Sequence, residues 1–342
     1  MKAMLLRQMG MLTESWQPLE AADLPVPKPG PEEILVRVAV CGVCHTELDE
    51  IEGRTSPPRL PVVLGHQVVG YVERFGKHAA GFASGDRVGV AWIHHACGRC
   101  VQCAAGDENL CPKFQATGRD VNGGYAEYMT VPAAFAHPMP SGLPDAEAAP
   151  LLCAGAIGYR SLRLAQMGQS GRLGLTGFGA SGHLVLQLVR HLWPAARVFV
   201  FCRSEAQRDF ARQLGAAWAG RTEETAPELL DAVIDTTPAW KPVVEALRQL
   251  RPGGRLIINA IRKEDTDQGE LLRLRYTEHL WMEREIKTVA NVTRRDVREF
   301  LDLAAQAGLR PEVRQYPLEE ANDALLALKR SGQPGAKVLR IH

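Results

Sequence analysis

Arg172-Leu173-Gly174-Leu175-Thr176-Gly177-Phe178-Gly179-Ala180-Ser181-Gly182 decides how the second half of this chain folds. An apolar run of strand length leads into glycines spaced Gly-x-Gly-x-x-Gly, and a helical pattern follows over 184–191. Gly177, Gly179 and Gly182 permit a tight turn and let a pyrophosphate approach backbone amides at a helix N-terminus. The spacing alone is a weak signal. A strand before it, a helix after it and a second strand at 197–201 supply the context that a dinucleotide turn requires. Further on, 205–214 reads as a helix closed by Gly215, 232–235 as a strand and 243–250 as a helix ended by Pro252-Gly253-Gly254. Residues 255–258 read as the next strand. Strands alternating with helices predict a parallel, doubly wound α/β sheet.

The first half has a different grain. Runs at 34–40, 67–72 and 86–90 read as strands punctuated by Gly and Pro, which predicts a β-rich, partly barrel-like domain. Beyond Asn291 the chain offers helices at 297–307 and 319–329 and a last strand at 336–341. A length of 342 residues fits two domains.

A net charge of +1 without a block of like charges gives no electrostatic reason to expect nucleic acid or a membrane surface as partner. Arg7, Gln8 and Gly10 interrupt the N-terminal apolar run too early for a secretory segment, and no stretch has the length and apolarity of a membrane span. The expected setting is cytoplasmic and reducing. There, clustered cysteines point to metal rather than to disulfides.

Four of the eight cysteines form such a cluster: Cys97-x2-Cys100-x2-Cys103-x7-Cys111. Short spacings let one loop wrap a tetrahedral zinc, and four thiolates make a closed shell. This zinc is therefore expected to be structural. A catalytic zinc needs three ligands and an open position. Candidates are scattered: Cys44 and His45 in Gly42-Val43-Cys44-His45-Thr46, which ends a strand and enters a turn, His66 in Gly65-His66-Gln67, and Cys153 in Leu151-Leu152-Cys153. Each alone also reads as packing or as a hydrogen-bonded core residue.

About 20 residues after the glycine turn, where a carboxylate would bind the ribose 2′-hydroxyl of NAD, stands Cys202-Arg203-Ser204. With no acid to repel a 2′-phosphate and Arg203 to pair with it, NADP(H) is favoured over NAD(H). The alternative is an exposed Arg203 at a helix start, with NAD tolerated.

Cys44-His45-Thr46, the Gly-His-x3-Gly-x5-Gly run from Gly65 to Gly76, the four-cysteine lobe, Cys153 and the glycine turn occur in one order along nearly the whole chain. This order resembles the zinc-containing alcohol dehydrogenases of the medium-chain dehydrogenase/reductase family. The resemblance implies a GroES-like catalytic domain over 1–154 and 291–342, with a structural zinc lobe at 95–113, and a Rossmann cofactor domain over 155–290. It implies two zinc ions per chain. Cys44, His66 and Cys153 would hold the catalytic one, with Cys41 left to packing. Thr46 corresponds to a hydroxyl relay for the alcohol proton. Asp49 stands where relatives place a relay histidine and either accepts the proton or faces water. His45 and Lys337, the latter placed before the last strand, correspond to groups that reach the pyrophosphate, and Arg203 and Ser204 fall at the ribose. A small alcohol or aldehyde substrate and a homo-oligomer joined through the cofactor-domain sheets are also implied. Trp92 reads either as a wall of the substrate pocket or as core.

Three positions depart from the family pattern. Gln67 replaces a glutamate, Asp49 replaces the histidine, and Ile157 replaces a threonine that contacts the nicotinamide. Competing readings are a relative acting on polyols or cinnamyl-type aldehydes, a zinc-free quinone or enoyl reductase, and a nucleotide-sensing zinc protein without turnover.

Overall fold

The computed structural model describes residues 1–330 and 335–342. Its strands in chain order are β1 (Lys2–Leu6), β2 (Leu19–Asp23), β3 (Glu33–Val43), β4 (Val62–Val63), β5 (Gln67–Phe75), β6 (Arg87–Val90), β7 (Ile93–His95), β8 (Gln115–Ala116), β9 (Tyr128–Pro132), β10 (Ala136–Pro138), β11 (Arg172–Thr176), β12 (Arg197–Phe201), β13 (Trp218–Gly220), β14 (Leu230–Asp235), β15 (Leu250–Ile258), β16 (Glu285–Thr288), β17 (Val313–Pro317) and β18 (Ala336–Arg340). Its helices are α1 (His45–Ile51), α2 (Val101–Ala104), α3 (Asp145–Ala148), α4 (Ala154–Ala165), α5 (Ala180–Leu192), α6 (Glu205–Gln213), α7 (Lys241–Gln249), α8 (Arg294–Gln306) and α9 (Ala321–Lys329). Contacts divide the chain into two units, Met1–Cys153 with Asn291–His342, and Ala154–Ala290.

The second unit carries a six-stranded sheet in the order β13-β12-β11-β14-β15-β16, parallel throughout. Its chain begins in the middle at β11, runs outward to β13, then crosses back to β14 and runs outward the other way. The reversal opens a crevice at the carboxyl ends of β11 and β14, where such sheets bind their ligands. Leu173, Leu175, Val200, Val233, Ile234, Leu256 and Ile257 are buried, as strands covered on both faces require. Leu184, Val185, Leu188 and Val189 form the buried stripe of α5, each side chain stabilising by about 1.5–3 kcal/mol.

Helix α5 starts at Ala180, four residues before the apolar periodicity begins, so its first turn abuts the glycines. Pro252-Gly253-Gly254 does not end a helix. Helix α7 stops at Gln249, and these residues lie inside β15, where pairing with β14 shifts register between Leu230 and Ala232. Proline and glycine are tolerated at such an irregularity.

In the first unit β3 is the spine. It pairs with β5, β9 and β18, all antiparallel. The C-terminal segment thus returns to complete the sheet begun by the N-terminal one. Among the described residues no helix is long and apolar enough to cross a membrane.

His137 of β10 is buried, and neither ring nitrogen has a hydrogen-bond partner among the described residues. Burial, aided by the charges of Arg298 and Arg294, holds its pKa down at about 3. The unfolded value is about 6.5, so the unfolded chain binds the extra proton first. The stability this group contributes is complete above pH 6.5 and is lost toward pH 3, at about 1.4 kcal/mol per pH unit. Urea unfolding from pH 7 to 4.5 is expected to show a shallower acid loss for His137→Phe than for the parent. Acid losses common to both chains cancel in the difference, and parallel curves would exclude His137 as a source.

Candidate active site

Strand β3 delivers Cys44 to the mouth of α1, a helix entry where the sequence suggested only a turn. Cys44 is the N-cap, and its sulfur accepts the Thr46 amide at 3.3 Å. Glu47, three residues on, completes a capping box, its Oε2 accepting the Cys44 amide at 2.8 Å. The other oxygen, Oε1, lies 2.6 Å from Nδ1 of His66. His66 is presented at the head of β5 by Gly65, whose φ of +97° and crowding suit only glycine. A Cβ there would sit 2.4 Å from the Tyr125 ring. With Nδ1 held by Glu47, Nε2 faces two sulfurs, Cys44 Sγ at 3.6 Å and Cys153 Sγ at 3.4 Å.

These three ligand atoms lie within 4.8 Å of one another. A tetrahedral zinc with Zn–S of about 2.3 Å and Zn–N of about 2.05 Å has S···N edges of about 3.5 Å. The donor set therefore fits zinc in chemistry and in spacing. Burial works against the charge on His66, but Glu47 and Cys44 outweigh it and raise its pKa well above the ordinary value. The neighbouring Cys153 thiol, then burial and the Glu47 charge, raise Cys44.

Sequence reasoning named Asp49 but missed the two other carboxylates of α1. Glu47 and Glu50 are both fully buried on α1. Burial and the nearby Glu47 push Glu50 well above the usual carboxylate range, opposed by His66 and Arg119. Trp92 stands edge-on to His66, with ring centroids 6.3 Å apart, and packs on Phe114 at 5.7 Å; the Arg119 guanidinium lies over its ring at 5.2 Å. Gln67 is buried, and its side chain lies across Gly42 of β3, where a Cβ would meet Oε1 at 2.6 Å. Cys41 is buried beside Gly42, with its thiol 3.6 Å from that carbonyl, in a packing position.

Sulfurs of Cys97, Cys100, Cys103 and Cys111 also gather within 4.8 Å. Cys100 caps α2 by accepting the Cys103 amide, and Cys111 accepts the amides of Cys97 and Lys113 at 3.3 Å. Amides of Arg99 and Cys100 hold the Cys97 thiol down at about 6. Burial and the Cys100 thiol push Cys103 up to about 12. Four sulfurs fed by backbone amides suit a closed, four-thiolate zinc.

In the other unit, Gly177 follows β11 with φ +78°. A Cβ there would meet Thr236 Oγ1 at 2.8 Å, so glycine is required. Gly179 is the N-cap of α5, and Gly182 lies buried in its first turn. Phe178 between them is buried against Phe210 of α6, centroids 6.0 Å apart. Past β12, Cys202 is buried and Arg203 is exposed. Ser204 caps α6 by accepting the Gln207 amide at 3.4 Å. Arg208 donates to the carbonyls of Cys202 and Arg203 at 2.9 and 2.8 Å, fixing this turn.

Two expectations change. Asp49 does not face water: it is 3% exposed, and its Oδ1 accepts Arg54 Nε at 2.6 Å. Lys337 lies within β18, not before it. It is buried with Nζ donating to the Gly335 carbonyl at 2.9 Å, and burial lowers its pKa. In register it faces Val43, the residue before Cys44. His45 is exposed, Thr46 is half-buried, and Ile157 is half-buried on α4.

A three-ligand metal site with a carboxylate-held histidine, a four-cysteine lobe and a parallel sheet with a glycine turn define a zinc-binding dehydrogenase. Residues 30–141 match the family described as alcohol dehydrogenase GroES-like domain, and residues 180–306 match that described as zinc-binding dehydrogenase. The chain is 46% identical over 329 residues to a probable alcohol dehydrogenase, AdhA, of Mycobacterium tuberculosis, covering 95% of this chain and 93% of that protein. It is 31% identical to an alcohol dehydrogenase of Geobacillus stearothermophilus, covering 97% and 98%. A solved alcohol dehydrogenase from the archaeon Aeropyrum pernix superposes with a TM-score of 0.85 at 27% identity, all of both chains being covered. The chain belongs to the zinc-type alcohol dehydrogenases of the medium-chain dehydrogenase/reductase family, oxidoreductases acting on alcohols.

Removing the charge beside His66 should loosen a metal held by Cys44, His66 and Cys153 and leave one held by the four cysteines in place. For Glu47→Gln, zinc at the three-ligand site is expected to pass to a chelator about 10–100-fold faster, with the four-cysteine zinc as internal reference. Equal release rates in variant and parent would refute the role given to Glu47.

Proposed function

We propose that this enzyme interconverts a small alcohol and its aldehyde with NADP(H) in preference to NAD(H), using two zinc ions per chain. The observation that carries the reading is the convergence of Cys44, His66 and Cys153, with His66 Nδ1 already engaged by Glu47. Zinc bound there supplies Lewis acidity that makes an alcohol a stronger acid, and the nicotinamide supplies the hydride acceptor or donor. The chain's own part is to shape and charge the site. Glu47 fixes the imidazole so that Nε2 is the ligand atom. Trp92, beside His66, walls the substrate side. Thr46, with a hydroxyl that both donates and accepts, passes the alcohol proton. Asp49 is the next carboxylate along α1, but its pairing with Arg54 makes it a weaker relay than a free side chain. His45, exposed beside Cys44, and Lys337, in register with Val43, are the donors on this unit assigned to the pyrophosphate.

Amides around Gly177, Gly179 and Gly182 receive the pyrophosphate at the α5 N-terminus. Arg203 and Ser204 receive the 2′-phosphate. Support for NADP(H) is the exposed guanidinium of Arg203 on a turn without a carboxylate at 202–204. The four-cysteine zinc is structural. All four residues of β16 are exposed at the sheet margin, which supports a homo-oligomer joined there. A cytoplasmic setting fits cysteines grouped for metal and not joined in disulfides.

The decisive measurement is a panel of alcohols and aldehydes run with both cofactors. Cys44→Ser is expected to lose turnover while keeping its circular dichroism spectrum; full activity would refute the ligand assignment. Arg203→Ala is expected to raise KM for NADPH about tenfold or more while leaving NADH within about twofold. Equal effects on both would overturn the NADP preference.

A further inference from the structure

Lys263 and Asp235 form a buried ion pair at the carboxyl end of β14, beside the crevice where the sheet reverses direction. Asp235 is fully buried and is the last residue of β14. Its Oδ1 accepts the hydroxyl of Thr176 at 2.5 Å and that of Thr237 at 2.8 Å. Thr176 is the residue before Gly177. The carboxylate therefore stands one residue behind the phosphate-binding turn, where an uncompensated negative charge would repel a pyrophosphate. Lys263 supplies the compensation. Its ammonium donates to Asp235 Oδ2 and to the carbonyls of Thr237 at 2.7 Å and Ala239 at 3.0 Å, which uses all three N–H groups.

The same lysine ties down the segment after β15. Asn259 donates its amide to the Asp235 carbonyl at 2.7 Å, and Glu264 donates to Pro238 at 2.8 Å. At the far end Asp267 accepts the amides of Trp240 and Lys241 at 2.9 Å, capping α7. Residues 259–267 are thus fastened along their length to the loop after β14. A buried ion pair is no more stabilising than apolar side chains of similar volume, so stability alone gives no reason for it.

We propose that Lys263 is a positioning residue for the dinucleotide: it cancels the Asp235 charge behind the glycine turn and holds the 259–267 segment as a wall of the crevice. The inference rests on the glycine turn being the cofactor site.

The test uses zinc-loaded enzyme and fluorescence titration of NADPH and NADH, with thermal midpoint and zinc content as companions. Lys263→Met is expected to weaken both cofactors about tenfold or more at unchanged zinc content, whereas Lys263→Arg stays within about threefold. The double variant Lys263→Met/Asp235→Leu leaves no unpaired charge and is expected to recover the thermal midpoint. It lacks the tether, so its cofactor affinity remains about fivefold weak or worse. Wild-type affinity in Lys263→Met would overturn the proposal; recovery of affinity together with stability in the double variant would overturn the tether and uphold the charge compensation. Should Lys263→Met fail to fold, the double variant and Lys263→Arg decide it by the same criteria. If the parent enzyme itself takes up neither cofactor, the dinucleotide reading has failed instead.

Discussion

One carboxylate holds the active site in register. Glu47 gives one oxygen to the amide of Cys44 and the other to the ring of His66. The first contact starts a helix at Cys44; the second sets a carboxylate oxygen 2.6 Å from Nδ1 of His66, on the side of the ring away from the two sulfurs that face Nε2. Two candidate ligands 22 residues apart in sequence are thereby tied to one side chain. A charge buried this deeply costs several kcal/mol unless it is paired, and the imidazole supplies the pair. Helix capping and metal geometry are the same constraint here. The site is accordingly built on the end of a strand and the first turn of a helix, not on a free loop.

The two cysteine clusters show how ligand spacing separates structure from chemistry. Cys97, Cys100, Cys103 and Cys111 fall within 15 consecutive residues and receive amide hydrogen bonds from their own loop. Such a shell closes on itself. Cys44, His66 and Cys153 come from three places in the fold, and among the described residues they bring three donor atoms together, the number that would leave a bound zinc a position for substrate. Around the second group the chain placed an indole, a guanidinium and a further buried acid, Glu50.

Much of this was legible before any coordinates. The four-cysteine lobe is a local spacing, and the second unit announces itself through alternating strands and helices. The scattered ligands could be chosen only through resemblance, because nothing local distinguishes Cys44 from Cys41. Glu47 escaped notice because the usual capping box begins with serine or threonine, and here a cysteine holds that place. Asp49 and Glu50 look like the solvated face of a short helix, yet α1 is buried along most of its length. Asp235 and Lys263 are 28 residues apart and meet only because a parallel sheet brings consecutive loops to one edge. Strand β16, exposed at all four residues, has no apolar pattern to read, and Gly155 and Gly158 disguise α4.

The indole standing edge-on to His66 has a use beyond walling a pocket. An imidazolium is an efficient quencher of tryptophan emission, whereas a neutral, coordinated imidazole is a poor one. Trp92 sits at 6.3 Å from the His66 imidazole, close enough for its emission to respond to a change at the ring, so the fold places a native chromophore beside the candidate metal centre.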